Sequence, residues 1–115
     1  MIYITKWIIK FINNAAEKEV QKLTYDLQAD FLHLCELLIE FSPHNVGMPH
    51  TRNIEDKLWE LRLHGKDNIA RSIYYLAMDK KIVILHTFIK KTEKTLKTAI
   101  LIAKTRLKKG FNEKL

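Results

Sequence analysis

The sequence is poor in the residues that form disulfides and flexible linkers. Its 115 residues include one cysteine (Cys35), two prolines and three glycines. A single cysteine excludes an internal disulfide and is typical of a reducing compartment. Because no segment resembles a long linker and 47% of the residues are hydrophobic, we expect one globular domain over residues 1–115, with a modest core.

Long hydrophobic runs are also missing. The N-terminal segment MIYITKWIIKFI is apolar, but Lys6 and Lys10 interrupt it. No run reaches the roughly 18 residues of a membrane span, and no pattern of a secretory leader follows. We therefore interpret residues 2–12 as a first β-strand and expect a cytoplasmic protein without a membrane partner.

The chain lacks the motifs of metal sites and of several enzyme classes. It contains no HExxH, no paired CxxC and no clustered carboxylates, so we predict no metal and no cofactor. No glycine-rich phosphate loop and no GxSxG elbow is present. Cys35 lies beside Leu34 and Leu38 in an apolar helical segment, which favours a packed thiol over a nucleophile.

Positive charge is concentrated in the second half of the chain. Residues 1–56 carry 5 Lys and Arg against 8 Asp and Glu, whereas residues 57–115 carry 15 against 5. A high local density of cations indicates an anionic partner, most simply nucleic acid or an acidic protein.

The spacing of apolar residues predicts an α+β domain with the element order β-α-α-β-β-β-α. Periods of three and four indicate helices, and alternation indicates strands. Short turns between the three later strands predict an antiparallel meander, and we expect the helices to pack on one face of it. Thr24 is expected to cap the second helix through its hydroxyl, and Gly110 to end the last helix. The predicted helices are 14–23, 25–42 and the segment after Thr92, and the predicted strands are 57–64, 68–77 and 81–91, with a loop over 42–53.

Basic side chains are predicted to share the sheet face that the helices leave open. Alternation places Arg62, Arg71, His86 and Lys90 there, on three strands. A solvated face explains any one of them, but the set, with Arg52, Lys91 and Lys94 nearby, favours a surface that binds phosphate. Tyr75 shares the Arg71 face and could stack on a base, although a purely structural tyrosine fits equally well.

These residue types are sufficient for RNA cleavage without a metal. The reaction needs a base for the 2′-OH, cations for the crowded phosphate and an acid for the leaving oxygen. Arginine suits phosphate binding because it stays charged and can donate two parallel hydrogen bonds. A lysine crowded by cations, or His86, could act as the base, and residue type alone does not assign the roles.

Three motifs resemble the phage-derived Gp49-like, HigB-type toxins of the RelE/ParE superfamily of bacterial toxin–antitoxin systems. They are PHTRNIEDKLWELR (49–62), GKDNIARSIYY (65–75) and FIKKTEKT (88–95), and the helical segment 15–41 is similar as well. The resemblance thus covers nearly the whole chain and implies a RelE-like single domain.

The resemblance also implies an activity, partners and a site. The expected protein is the toxin of a type II system, a metal-independent endoribonuclease that cuts mRNA on the ribosome, inhibits translation and arrests growth. A helix-turn-helix antitoxin is expected to bind it in a hetero-oligomeric complex and to connect it indirectly to operator DNA. The catalytic positions carried over are Arg62, Arg71, Lys90, Lys91 and Lys94, and the RNA-binding positions are Arg52, Tyr75 and His86.

The sequence is also compatible with two other functions. A gyrase-targeting toxin of the ParE branch would damage DNA without cutting transcripts, and it would not need the basic strand ends. A non-catalytic domain would use the basic face only to hold an antitoxin or nucleic acid.

Overall fold

A five-stranded mixed sheet and three helices form the part of the chain that the computed structural model describes, residues 6–110 without the side chains of 93–95. The strand order across the sheet is β1-β5-β4-β3-β2, with β1 parallel to β5 and the other pairs antiparallel. No helix within 6–110 is long and apolar enough to cross a membrane. The elements are β1 (Ile8–Phe11), α1 (Asn14–Gln21), α2 (Tyr25–Phe41), β2 (Thr51–Glu55), β3 (Leu58–His64), β4 (Ile69–Ala77), β5 (Lys81–Ile89) and α3 (Glu93–Gly110).

The α+β class and the antiparallel meander are confirmed, but the sheet has one strand more than predicted. β2 begins inside the segment 42–53 that was predicted to be a loop, and it pairs with β3. The strand is five residues long and its register shifts between Asn53 and Glu55, so alternation is too short to signal it. The predicted first strand, 2–12, contains β1, and its residues 2–5 lie outside the described part of the chain.

The prediction that the helices pack on one face is wrong, because the sheet lies between α1–α2 and α3. On one face Leu61 and Tyr74 join the core formed with Leu27 of α2. On the other, Ile73 and Val83 pack with apolar residues of α3. The reason lies in β5, whose residues 82–87 are all buried, the pattern of a strand covered on both sides.

One prediction about the helices is confirmed and one is wrong. Residues of the predicted stripe on α3 are buried (Leu96, Ala103) or partly buried (Ile100, Leu107). The Thr24 hydroxyl, however, donates to the Asp26 carboxylate and caps no backbone N–H. The Asp26 carboxylate is a strong, charged acceptor for the hydroxyl proton.

Gly110 is the last described residue of α3 and has no positive φ. A Cβ at this position would meet the side chain of Ile12, which would have to move to admit a larger residue. The last described turn of α3 therefore lies close to the segment that follows β1.

Candidate functional site

Three arginines meet around one buried carboxylate on the α3 face of the sheet. Strand pairing places Arg62 directly opposite Arg71 and Arg52 directly opposite Glu60. Glu60 and Arg62 are two residues apart on β3, so their side chains lie on the same face. We call Arg52, Arg62, Arg71 and Glu60 the arginine cluster.

One oxygen of Glu60 faces all three arginines. Its Oε1 lies 3.3 Å from Nε of Arg52, 3.8 Å from Nη1 of Arg62 and 3.9 Å from Nε of Arg71. The Glu60 side chain is 2% exposed, and its other oxygen, Oε2, has no hydrogen-bond partner among the described atoms. Three cations around one carboxylate leave the cluster with net positive charge, so it can attract a further anion.

The arginines differ in their access to solvent. The side chain of Arg71 is 3% exposed, that of Arg62 is 24% exposed and that of Arg52 is 51% exposed. Burial and repulsion by Arg62 lower the pKa of Arg71, and Glu60 opposes this shift. Arg71 also donates from Nη1 to its neighbour's carbonyl, Ala70 O, at 2.9 Å. A ligand entering from solvent therefore meets Arg52 and Arg62, while Arg71 supports them from below.

Lysines follow at the end of the adjacent strand. Phe88 of β5 lies opposite Arg71, and Lys90 comes two residues later, where its backbone N–H donates to Ile69 O at 3.0 Å. Lys91 is exposed in the short connection to α3. The last predicted site lysine, Lys94, has a side chain outside the described atoms. The structure thus brings Lys90 and Lys91 to the strand end next to the arginine cluster.

His86 belongs to a second group of charges. Its Nδ1 lies 3.0 Å from both carboxylate oxygens of Glu19 on α1, and its ring stacks on Phe88 with centroids 5.4 Å apart. Arg106 of α3 donates to the same carboxylate at 2.9 and 3.0 Å. We call Glu19, His86 and Arg106 the Glu19 triad. The structure therefore gives His86 a partner that the sequence had not indicated.

The Glu19 triad lies where β5 loses its parallel neighbour. β1 pairs with β5 only as far as Ile84. Beyond that point the Thr87 N–H donates to Glu19 at 3.0 Å, and Arg106 donates to Leu85 O at 2.9 Å. Side chains from two helices thus replace the backbone groups of a missing strand, which avoids an exposed edge.

Burial affects both titrating members of the Glu19 triad. Burial lowers the pKa of His86, and the charge of Glu19 opposes that shift. Burial works to raise the pKa of Glu19, but hydrogen bonds from Arg106 and Thr87, with the charge of His86, lower it below its usual value. At neutral pH the triad therefore contains a carboxylate bound to a guanidinium.

Tyr75 lies apart from the arginine cluster. It is four residues from Arg71 on the same strand, which separates their α-carbons by roughly 13 Å. Its side chain is half-buried against α3 and lines a cavity of about 700 Å³ with Leu58 and Leu107. Tyr75 shares the face of Arg71, as predicted, but it sits at the opposite end of that face.

Glu60 and the Glu19–Arg106 pair are the features of the candidate site that the sequence patterns did not predict. A signal existed for Glu60, because alternation had already placed it on the face of Arg62. No sequence spacing connects Glu19 with Arg106, which are 87 residues apart. That pair depends on α1 and α3 lying on opposite faces of the sheet, the feature that was predicted wrongly.

Metal and thiol chemistry receive no support from the described residues. Within 6–110 no group of three or more His, Cys, Asp or Glu side chains is placed to hold a metal ion. Cys35 is buried in the α2 core, and burial raises the pKa of its thiol to about 12. A thiol with that pKa is packed as an apolar group and is not activated as a nucleophile.

Comparison with known proteins gives a family. One solved structure with a similar chain is the archaeal RelE–RelB complex from Pyrococcus horikoshii OT3, at 23% identity and a TM-score of 0.49, over 75% of this chain and 96% of that one. No curated protein matches significantly. The family model described as "Phage derived protein Gp49-like (DUF891)" matches residues 18–108, which include every residue of the arginine cluster and of the Glu19 triad. The chain therefore belongs to the phage-derived Gp49-like family.

Proposed function

We propose that this protein is the toxin of a type II toxin–antitoxin system and that it cleaves mRNA. The observation that carries the proposal is the arginine cluster, in which three cations share one carboxylate while Arg52 and Arg62 remain accessible. Membership of the Gp49-like family and the resemblance of its motifs to HigB-type toxins support it. The finer assignment to a ribosome-dependent enzyme rests on that resemblance.

The proposed reaction is an attack within the RNA chain. The 2′-oxygen bonds to the adjacent phosphorus as its proton passes to a base. The bond from phosphorus to the 5′-oxygen breaks, and that oxygen takes a proton from an acid. The products are a 2′,3′-cyclic phosphate and a 5′-hydroxyl, and no water or metal enters this step.

The exposures of the arginines suit different roles. Arg52 and Arg62 reach solvent and can donate to the non-bridging phosphate oxygens, where charge grows in the transition state. Arg71, which is buried, adds positive potential and holds Glu60 in place. Stabilisation of this kind supplies a large share of catalysis in many enzymes.

We assign the proton transfer to residues at or after the end of β5. Lys90, Lys91 and Lys94 follow β5 in the chain and are candidates for the base or for further neutralisation. His86 is a weaker candidate, because its Nδ1 is held by Glu19 and its side chain is 11% exposed. Its other nitrogen, Nε2, would have to exchange the proton.

The proposed partners follow the same resemblance. A small helix-turn-helix antitoxin would neutralise the toxin by tight binding in the cytoplasm, and it would link the complex to operator DNA. Messenger RNA threaded through the ribosome would be the substrate. A basic cluster can serve both partners, because an acidic antitoxin and a phosphate chain each supply negative charge.

Product chemistry tests the activity directly. Purified protein is mixed with ribosomes carrying an end-labelled message, with and without EDTA at a concentration that leaves the ribosomes intact. We expect fragments with a 2′,3′-cyclic phosphate and a 5′-hydroxyl in equal yield in both samples. Fragments with a 5′-phosphate would contradict the proposed reaction. Intact message combined with DNA damage in expressing cells would favour a gyrase-targeting toxin, and intact message without damage a non-catalytic domain.

A further inference from the structure

Glu60 is the one acidic residue of the arginine cluster, and its position is unusual for a carboxylate. It is 2% exposed, yet Oε2 has no hydrogen-bond partner among the described atoms. Nε of the buried Arg71 is also without one. Unpartnered buried polar groups are costly, so such atoms commonly mark a place where the structure serves function over stability.

The contacts that Glu60 makes are longer than strong charged hydrogen bonds. Distances of 3.3, 3.8 and 3.9 Å to the three arginines compare with about 2.7–2.9 Å for an optimal pair of this type. Glu60 therefore holds the guanidinium groups mainly through charge. Their N–H groups keep the capacity to donate short, paired hydrogen bonds to another anion.

The carboxylate also determines how closely the arginines can approach one another. Arg62 and Arg71 are direct cross-strand neighbours, and like charges in that arrangement repel. Burial and repulsion by Arg62 and Arg52 lower the pKa of Arg71, while the charge of Glu60 opposes that shift. Without a negative charge beneath them, Arg52 and Arg62 would turn outwards into solvent, where the enthalpy of hydration and the side-chain entropy are both favourable.

We propose that Glu60 is a positioning residue of the arginine cluster: it is the resting counterion of Arg52 and Arg62, and the RNA phosphate takes its place. In the free protein Glu60 keeps both guanidinium groups above the sheet. When the phosphate arrives, Arg52 and Arg62 donate to its oxygens, and Glu60 remains paired with Arg71 below. The inference rests on the proposed RNA cleavage and adds the residue that orients its phosphate-binding groups.

Opposite effects on binding and on rate distinguish this role from a structural one. Glu60→Gln keeps the volume and removes the charge, so the cluster becomes more positive and attracts RNA more strongly. The guanidinium groups are then poorly oriented, and a misplacement of about 1 Å can lower a rate roughly 100-fold. A merely structural residue would change the folded fraction and leave the rate of the folded molecules unaltered.

Single-turnover cleavage on ribosomes programmed with labelled message measures both quantities. For Glu60→Gln we expect a maximal rate at least tenfold below the parent, with an equal or lower half-saturating protein concentration. Glu60→Asp, which retains the charge, should recover part of the rate. Glu40→Gln, at an exposed position of α2, also removes one negative charge and is the matched control. A parental maximal rate in Glu60→Gln, or no recovery in Glu60→Asp, would overturn the inference.

A second measurement needs neither a variant nor activity. Inorganic phosphate is titrated into the parent protein while NMR follows the Nε–H of Arg52 and Arg62 and the carboxylate carbon of Glu60. We expect all three signals to move together and to saturate. If none of the signals moves, phosphate does not replace Glu60 as the partner of Arg52 and Arg62, and the inference is wrong even if Glu60→Gln fails to fold. If the signals move but the parent protein cuts no message, the role of Glu60 in phosphate binding stands and the proposed RNA cleavage is wrong.

Discussion

Arg106 of α3 and Glu19 of α1 form a two-pronged ion pair, with Nη1 3.0 Å from Oε1 and Nη2 2.9 Å from Oε2. The two helices lie on opposite faces of the sheet, and the pair joins them past the edge of β5. The same two residues satisfy Thr87 N–H and Leu85 O on that edge. The pair thus links α1, α3 and the edge of β5.

Removing one partner of this pair should destabilise the protein clearly. Arg106→Gln removes the guanidinium donor of a partly buried carboxylate and of a strand carbonyl, and we expect the free energy of unfolding to fall by about 2 kcal/mol or more. Lys104→Gln breaks the exposed Lys104–Glu55 pair on the same helix and is the control. An exposed pair of that kind contributes about 0–1 kcal/mol. Urea unfolding compares the variants, and equal losses would contradict the role of Arg106.

The Glu19 triad should also make the protein sensitive to acid. The folded pKa of His86 lies below its usual 6.5 and that of Glu19 below its usual 4.5, so the unfolded chain binds protons more readily at both groups. The free energy of unfolding should therefore decrease as the pH falls below about 6.5, and again below 4.5.

Urea unfolding at several pH values tests this dependence. In His86→Gln the decrease between pH 6.5 and 5 should become shallower, because the titrating ring is gone. His33→Gln, on the exposed side of α2, should retain the parental slope. If the parent and His86→Gln lose stability equally over that interval, another group causes the dependence.

Cys35 provides a test of the core that is independent of the charged groups. Its burial and a thiol pKa of about 12 predict that iodoacetamide at pH 8 leaves the folded protein unmodified. The same reagent should alkylate the protein fully in urea, as mass spectrometry would show. Rapid alkylation under native conditions would mean that α2 opens from the sheet.

Local patterns in the sequence predicted the meander and much of the candidate site. Alternation in KLWELRLH and NIARSIYYLA was long enough to place Arg62 and Arg71 on one face, and the strand pairing puts them directly opposite. The arrangement of the helices was not predictable in that way. Residues 82–87 of β5 are buried on both faces of the sheet, and a period of two does not show which face a helix covers when both are buried.

Long-range contacts account for the other differences. Glu19 meets His86 and Arg106 only because β1 ends early and leaves the edge of β5 open. Arg52 reaches Glu60 only because residues 51–55 form a short, bulged strand. Each feature depends on the end of an element, and element ends are what sequence patterns determine least well.

The most direct test of the account is the mapping of transcript 5′ ends after controlled expression of the parent protein, Arg62→Gln and Lys57→Gln. Each variant removes one positive charge near β3, but only Arg62 belongs to the arginine cluster. We expect new 5′ ends within coding sequences at a fixed position in the codon for the parent and for Lys57→Gln, and none for a folded Arg62→Gln. Equal cleavage by Arg62→Gln, or no cleavage by the parent, would contradict the central claim that the arginine cluster cuts messenger RNA.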